Sequence, residues 1–527
     1  MFKNHPKGLL GAALSNMGER FGYYIMNAIL VLFLCAKFGL SEENAGLIYS
    51  VFYCGIYILS LAGGLIADRI RNYKGTIMSG LVLMAAGYCC LAIPTPVTDS
   101  NTTSLLVFTC FALFCIAFGN GLFKGNLQAI VGQMYDKPEY SSRRDSGFQI
   151  FYMFINVGGF FAPFIAPFLR SWWLHRNFFE YNAQLPNLCH KFLDFGEKMV
   201  GSGVAPEDVA AGAQQFANLQ EYAQQALLPG NALDISNLST FCSQYLDTFN
   251  RGFHFAFIAS IVAMAISLVI FIFSKRLFPN PVKKGAAAVA EEEVSLTAEE
   301  RASAAKEVKQ RILALFAVLG VVIFFWFSFH QNGVSLSFFA RDFVNTSTIA
   351  PEIWQAVNPF FVVALTPLIM WLFGMLKKKG KEPSTPRKIA YGMGIAGFGY
   401  LFLCFVSWMC DFPSQTELLR LSADAQNALK VTPWVLIGMY FFMTVAELFI
   451  SPLGLSFVSK VAPKSMQGLM QGLWLGATAV GNILLFLGGM LYTSLPLWMC
   501  WIVFVALCAL SMILMLSMVK WIERVAK

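Results

Sequence analysis

Charge is scarce in this sequence. Asp, Glu, Lys and Arg make up 13% of its 527 residues, where a soluble domain carries about 25%. So apolar a chain is neither disordered nor an ordinary cytosolic enzyme. Catalytic patterns are missing too. No HExxH, GxSxG or pair of catalytic carboxylates stands in the apolar runs, and no CxxC or Cys/His cluster offers a metal site. Neither an enzyme nor a cofactor is expected. The 12 Cys do not make a disulfide-dense secreted module, because all but Cys189 and Cys242 lie in or beside apolar runs, where thiols pack.

Hydrophobic length is abundant. Apolar residues reach 57%, with 51 Phe and 22 Met. A bilayer-spanning helix needs about 20 mainly apolar residues. Runs of that order fall at 9–36, 45–67, 76–94, 104–126, 148–169, 252–274, 311–340, 355–376, 388–410, 432–458, 466–492 and 496–519. The reading is an all-α membrane protein with twelve transmembrane helices. The first run is taken as a permanent helix. It holds Glu19 and Arg20 and continues to Ala36, whereas an export signal has a short uncharged core and then a small-residue cleavage site.

Positive charge orients the spans. With both termini cytoplasmic, inner segments hold 27 of the 38 Lys and Arg, and the short outer loops hold only Lys37, Arg341, Arg420 and Lys430. The net charge of +8 therefore faces anionic lipid, and no nucleic-acid partner is expected. Segment 275–310 separates six spans from six. Thr297 and Glu300 within it have capping-box spacing, which predicts a short surface helix over 298–309. The expected layout is a first six-helix bundle of 1–169 and 252–274, an outer insert of 170–251, a linker of 275–310 and a second six-helix bundle of 311–527. Two such halves with a site between them is a transporter layout. In the insert, the Ala- and Gln-rich 205–228 stretch is predicted helical. Cys189 and Cys242 also lie there, either as a disulfide in an oxidising compartment or as two buried thiols.

Ionisable residues deep in the spans are Glu19, Arg20, Lys124 and Glu447. Each costs about 2.5–3.5 kcal/mol at a bilayer centre on the lenient insertion scale. Such groups face a cavity or one another. Glu19 and Arg20 are adjacent, and adjacent helix positions do not face each other, so they are expected to have different partners. Asn16, Arg20, Tyr23 and Tyr24 give the first helix a polar face. Trp326 and His330 sit one turn apart, and the run His330-Gln331-Asn332-Gly333-Val334-Ser335 is too polar for lipid. The implied cavity has cations in its first half and an anion in its second. A small zwitterion, an amino acid or short peptide, complements that field.

The same residues resemble the proton-dependent oligopeptide transporter family of the major facilitator superfamily. Gly18-Glu19-Arg20-Phe21 with Tyr23-Tyr24 is similar to the family's first-helix motif. Gly63-Gly64-Leu65-Ile66-Ala67-Asp68-Arg69 resembles the superfamily loop motif. Gly119 to Asn126 resembles the fourth-span segment, with Gly125 where Pro is usual. Phe151-Tyr152-Met153-Phe154-Ile155-Asn156-Val157-Gly158 matches the fifth-span signature. Asn358-Pro359, Glu447-Leu448, Ser451-Pro452 and Gly472-Leu473-Trp474 also fit.

The resemblance implies the major facilitator fold and import of di- and tripeptides by proton symport in a bacterial inner membrane. H+ would be the coupling ion and a monomer would suffice. It gives Arg20 and Lys124 to the peptide carboxylate, and Glu447, Asn156 and Asn358 to the amino end, with Ser451 beside Glu447. Tyr23, Tyr24 and Tyr57 would hydrogen-bond the ligand, and Trp326 and Trp474 would line side-chain pockets. Two family carboxylates are replaced, by Asn16 and by His330. Glu19 is then the expected proton carrier, with His330 assisting. The alternative is a same-fold facilitator for another small zwitterion or anion, such as an amino acid or nitrate, with weak or no proton coupling. The inner gate is expected near Lys124 and near Ser451-Pro452.

Overall fold

The computed structural model describes residues 4–40, 42–98, 100–182, 185–201, 206–231, 233, 235–279, 298–333, 335–345, 356–418, 423–463 and 466–526. Twelve of its helices are long and apolar enough to cross a membrane. They are α1 (Gly8–Phe38), α2 (Glu42–Ile70), α3 (Tyr73–Ala92), α4 (Thr102–Met134), α5 (Arg144–Arg176), α6 (Leu238–Ser274), α7 (Ala298–Phe329), α8 (Val357–Lys378), α9 (Thr385–Met409), α10 (Pro433–Val461), α11 (Gln467–Ile483), which spans together with Leu485–Ser494, and α12 (Leu497–Val525).

Local sequence sets several ends. The side chain of Asn72 accepts the Gly75 N–H at 3.0 Å and starts α3. Gly39, at φ +64°, ends α1 by returning its N–H to the Cys35 carbonyl. Pro433 and Pro386 open α10 and α9, where a missing N–H costs nothing.

The first six helices pack on one another, chiefly α3 on α4, α1 on α6, α2 on α4 and α1 on α5. The last six do likewise, with α9 against α10 and α12, and α7 against α11 and α12. The two bundles meet along α2–α11 and α5–α8; α4 also packs on α10 and α11, and α5 on α10. Two adjacent glycines serve two different crossings. A Cβ on Gly63 would lie 2.0 Å from the Gly121 carbonyl of α4, and one on Gly64 would lie 2.4 Å from the Gly468 carbonyl of α11. Only a bare backbone allows both approaches.

Three sequence expectations need correction. The predicted helix over 298–309 is the first turns of α7 rather than a separate surface element, and its Thr297 cap lies outside the described residues. The predicted 311–340 span stops at Phe329, passes through a 3-10 turn (His330–Gly333) and resumes as Ser335–Phe343. The predicted 466–492 span stands as Gln467–Ser494, with its helix interrupted at Leu484 between α11 and Leu485–Ser494. The two breaks face each other, and the polar run is used there. Gln331 is fully buried and donates to the Leu485 carbonyl at 3.4 Å. Hydropathy counts apolar residues and does not register a change of helix type.

The insert is also shorter than 170–251. Helix α5 continues to Arg176 and α6 already begins at Leu238. Phe241, Tyr245 and Phe249 recur every fourth residue and are buried, so α6 extends past the apolar run as an amphipathic helix. Between α5 and α6 lie helices Leu185–Phe195 and Pro206–Ala226 and an antiparallel bridge, Phe179 to Leu227. Stacking of Phe192 on Phe216 holds the two helices together.

Candidate functional site

The ionisable residues singled out in the spans gather between the bundles. On α1, Arg20 and Glu19 are buried and pair with each other. Arg20 Nε donates to Glu19 Oε2 at 2.6 Å and Nη2 to Oε1 at 2.5 Å. This corrects the expectation of separate partners. The helix rule concerns Cβ directions; both side chains are long enough to bend together, and an unpaired charge in this medium is costly. Asn120 of α4 donates to Glu19 Oε1 at 2.7 Å. The Arg20 guanidinium also lies 4.5 Å from the centre of the Tyr23 ring.

Lys124, one turn along α4 from Asn120, is placed differently. Its Nζ sits 5.0 Å from the Tyr57 ring centre, and it has no ion-pair partner among the described residues. The phenols form their own network. Tyr23 and Tyr49 both donate to Asn27 Oδ1, at 3.2 and 3.1 Å. Tyr53 and Tyr57 hydroxyls are 3.2 Å apart. Tyr24 packs edge-on to Tyr23.

On the other bundle, Glu447 of α10 is held from two sides. Asn358 of α8 donates to its Oε2 at 2.8 Å and to Thr444 Oγ1 at 3.0 Å. Tyr152 of α5 donates a short hydrogen bond to Oε1. That bond crosses between the bundles. Sequence reasoning passed over Tyr152, although it stands in the quoted fifth-span signature one turn before Asn156. Asn156 does not reach Glu447: its amide donates to the Tyr152 carbonyl at 3.1 Å, leaving its oxygen as an acceptor. Ser451 Oγ and Trp326 Nε1 are buried without a hydrogen-bond partner among the described residues. Trp326 stacks on His330 at 5.0 Å, and His330 Nδ1 is 2.5 Å from Asn482 Oδ1. Trp474 packs where Gly454 leaves room on α10. Asn16 is buried in α1.

At the end carrying the basic loops the bundles are latched. Asp68 accepts the Gly468 and Leu469 N–H groups, at 3.0 and 2.7 Å, where the exposed donors and dipole of the α11 start favour an anion. Asp145 at the start of α5 accepts from Ser456 of α10 at 2.7 Å, Thr385 at 2.9 Å and Lys388 at 3.1 Å. Arg144 reaches Ser459 at 3.3 Å. These contacts lie beyond Ser451-Pro452, where the inner gate was expected, and nearer the helix ends. Toward the opposite end, α1 and α2 make no packing of similar extent with α7 among the described residues.

Twelve spans, two bundles and charge collected between them define a transporter of the major facilitator fold. The POT family profile matches residues 74–185 and 280–496, and the chain belongs to that family. It is 28% identical over 497 residues to the "Peptide transporter YePEPT" of Yersinia enterocolitica subsp. palearctica, covering 92% of this chain and 87% of that one. It is 28% identical to "Dipeptide and tripeptide permease B" of Salmonella typhimurium, covering 91% of this chain and 85% of the relative. Among solved structures it resembles a peptide transporter POT in complex with sulfate, at TM-score 0.58 and 24% identity over 100% of this chain and 96% of that one. A POT family transporter in complex with 5-aminolevulinic acid gives TM-score 0.55 and 22% identity, covering 100% and 98%. The chain is an integral, multi-pass membrane transporter, not an enzyme, and its relatives place it in a bacterial inner membrane.

Proposed function

We propose that this protein imports di- and tripeptides by proton symport with alternating access, acting as a monomer in the lipid bilayer with both termini cytoplasmic. The observation that carries this reading is the separation of charge across the bundle interface. Lys124 is a cation without a carboxylate partner on the first bundle, and Glu447 is an anion on the second. A peptide's two ends carry the complementary charges, and its backbone length lets one molecule touch both.

In this reading Lys124 takes the peptide carboxylate directly. Arg20 joins it when Glu19 is protonated, because a neutral carboxyl no longer holds the guanidinium in two charge-assisted bonds. Proton and peptide binding are thereby coupled at one helix turn. Glu447 takes the ammonium group, with Asn358 and Tyr152 fixing its carboxylate and the Asn156 oxygen and Ser451 hydroxyl nearby. Tyr23, Tyr24 and Tyr57 bond the peptide amide, and Trp326 and Trp474 bound the side-chain space. His330 assists proton movement beside Asn482. Binding at both poles favours the closed arrangement, since only there do both bundles touch the ligand.

Uptake of labelled dialanine into proteoliposomes, with and without an imposed pH gradient, tests the reading. Concentrative uptake only with the gradient supports it. Equal, non-concentrative uptake under both conditions favours the facilitator, for which Asn16 and His330 in place of carboxylates are the motivating observation. Uptake of labelled alanine that dialanine does not inhibit would replace the peptide with an amino acid.

A further inference from the structure

The insert beyond the outer ends of α5 and α6 is a folded unit with two thiols at its centre. Helix Leu185–Phe195 packs on the outer part of α6. Cys189 on the first and Cys242 on the second are both fully buried. Both are free thiols, and Cys242 is near enough to perturb the ionisation of Cys189. Tyr245, one turn beyond Cys242, packs against Phe241 and Phe179 and accepts the Asn182 N–H at 3.0 Å. No group of three or more His, Cys, Asp or Glu able to hold a metal exists among the described residues. Two neighbouring buried thiols on separate, packed helices are the arrangement from which a cross-link is made.

The position gives such a link a task. His190, next to Cys189, bonds the Ala36 carbonyl at the outer end of α1 at 2.7 Å, and Asn250 of α6 bonds the same carbonyl at 3.3 Å. Gly39, without a side chain, leaves the space that the His190 ring fills, 3.2 Å from where a Cβ would be. One insert helix thus braces α1 against α6.

We propose that Cys189 and Cys242 form a disulfide in the mature protein, stapling the insert to α6 and fixing the brace on α1. The insert lies on the face opposite the Lys- and Arg-rich loops, which is the oxidising side of a bacterial inner membrane. The two thiols give up two protons and two electrons as the S–S bond forms. The electrons reduce the disulfide of an outer-compartment thiol oxidant to a dithiol, by exchange through a mixed disulfide. Because both sulfurs are buried once the insert is seated, exchange takes place during folding. The proposal does not depend on which solute is carried.

The test is peptide mapping of the full chain. Membranes are dissolved in denaturant containing an alkylating reagent and no reductant, and the purified protein is digested. The expected result is a linked peptide pair holding Cys189 and Cys242, which reductant separates and a second, isotopically distinct reagent then labels. Either cysteine carrying the first label at high occupancy, or linked elsewhere, overturns the proposal. Cys189→Ser should expose Cys242 to the first label, and continued protection would also count against it. A stability readout separates a staple from an idle bond. Reductant should lower the unfolding midpoint of the native protein by several degrees and leave Cys189→Ala/Cys242→Ala unmoved. Equal shifts in the two proteins would remove the bracing role.

Discussion

Arg20 gives two hydrogen bonds, 2.5 and 2.6 Å long, to the carboxylate of its own sequence neighbour Glu19. Both groups are buried, so each is the other's counter-ion in a medium of low dielectric. Removing one partner leaves a stranded charge, worth about 3–5 kcal/mol of destabilisation. Arg20→Ala is accordingly expected to yield less folded protein. Glu19→Gln leaves Arg20 an amide acceptor but no counter-ion, so it too should fold in lower yield. Its folded fraction should exchange labelled dialanine across the membrane in counterflow and lose concentrative uptake. Proteoliposome counterflow and gradient-driven uptake, measured side by side, check this. Gradient-driven accumulation at the native level in Glu19→Gln would remove Glu19 from the coupling step.

Arg20→Lys offers a finer test. A lysine is a point charge and cannot reproduce the two-pronged bond. Folding should be retained, because the charge is kept, while dipeptide affinity falls. A variant with unchanged affinity in equilibrium binding would show that fork geometry is immaterial.

Tyr152 joins α5 to the Glu447 carboxylate of α10. A hydrogen bond to a charged group contributes about 1.5–3 kcal/mol. Tyr152→Phe removes it with little change of shape. The expected outcome is a loss of roughly tenfold or more in dipeptide affinity with normal membrane insertion. Isothermal titration with dialanine reads the change, and a native dissociation constant would mean that Tyr152 serves only packing.

The Asp145–Lys388 contact, 3.1 Å long, ties the first bundle to the second at the end of the basic loops. Lys388 is almost wholly buried there, shared with Glu382 at 2.7 Å. Asp145→Asn withdraws the charge while leaving an acceptor for Ser456 and Thr385. With the latch weakened by about 1–3 kcal/mol, arrangements open at this end should gain roughly fivefold or more in population. Distance distributions between spin labels on the α4–α5 and α10–α11 connections would show the shift. An unchanged distribution would mean the remaining contacts hold the end shut alone.

How much of this was legible depends on the background against which a residue stands. Lys124 and Glu447 stood out because an apolar helix interior makes any charge conspicuous. Asp145 and Lys388 did not, since charges at span ends are ordinary there. Tyr152 lay in a recognised signature, but a phenol in a membrane helix carries no mark of its partner. The Glu19–Arg20 pair was misjudged from backbone direction, when side-chain length decided it. The breaks after Phe329 and at Leu484 were missed because each side of the break remains apolar enough to span. The outer part of α6 was missed because its aromatic stripe is only one face of a helix whose other face is polar.

Outside the spans, His5 bonds the Tyr135 hydroxyl at 2.7 Å and so docks the amino-terminal segment on the end of α4. Burial, with Arg143 nearby, lowers its pKa from 6.5 to about 4. The unfolded segment therefore binds a proton that the docked one refuses. Docking contributes fully above pH 6.5 and is lost as the pH falls toward 4. Limited proteolysis near residue 7 should accelerate across that interval in the native protein and be fast at all pH values in His5→Ala. A pH-independent rate in the native protein would remove the coupling.

His330 provides the last discrimination. Its Nδ1 is 2.5 Å from Asn482 Oδ1 and its ring stacks on Trp326 at 5.0 Å. His330→Gln can still donate to Asn482 but cannot take up a proton. If Glu19 carries the coupling proton and His330 only assists, His330→Gln should retain concentrative uptake at a reduced rate. Asn482→Ala should resemble it, because the imidazole then loses the partner that fixes its tautomer. The reverse pattern would move the coupling proton from Glu19 to the imidazole: accumulation abolished in His330→Gln and preserved in Glu19→Gln. Abolition in both would make the two groups one relay, since a proton that must visit each is stopped by the loss of either.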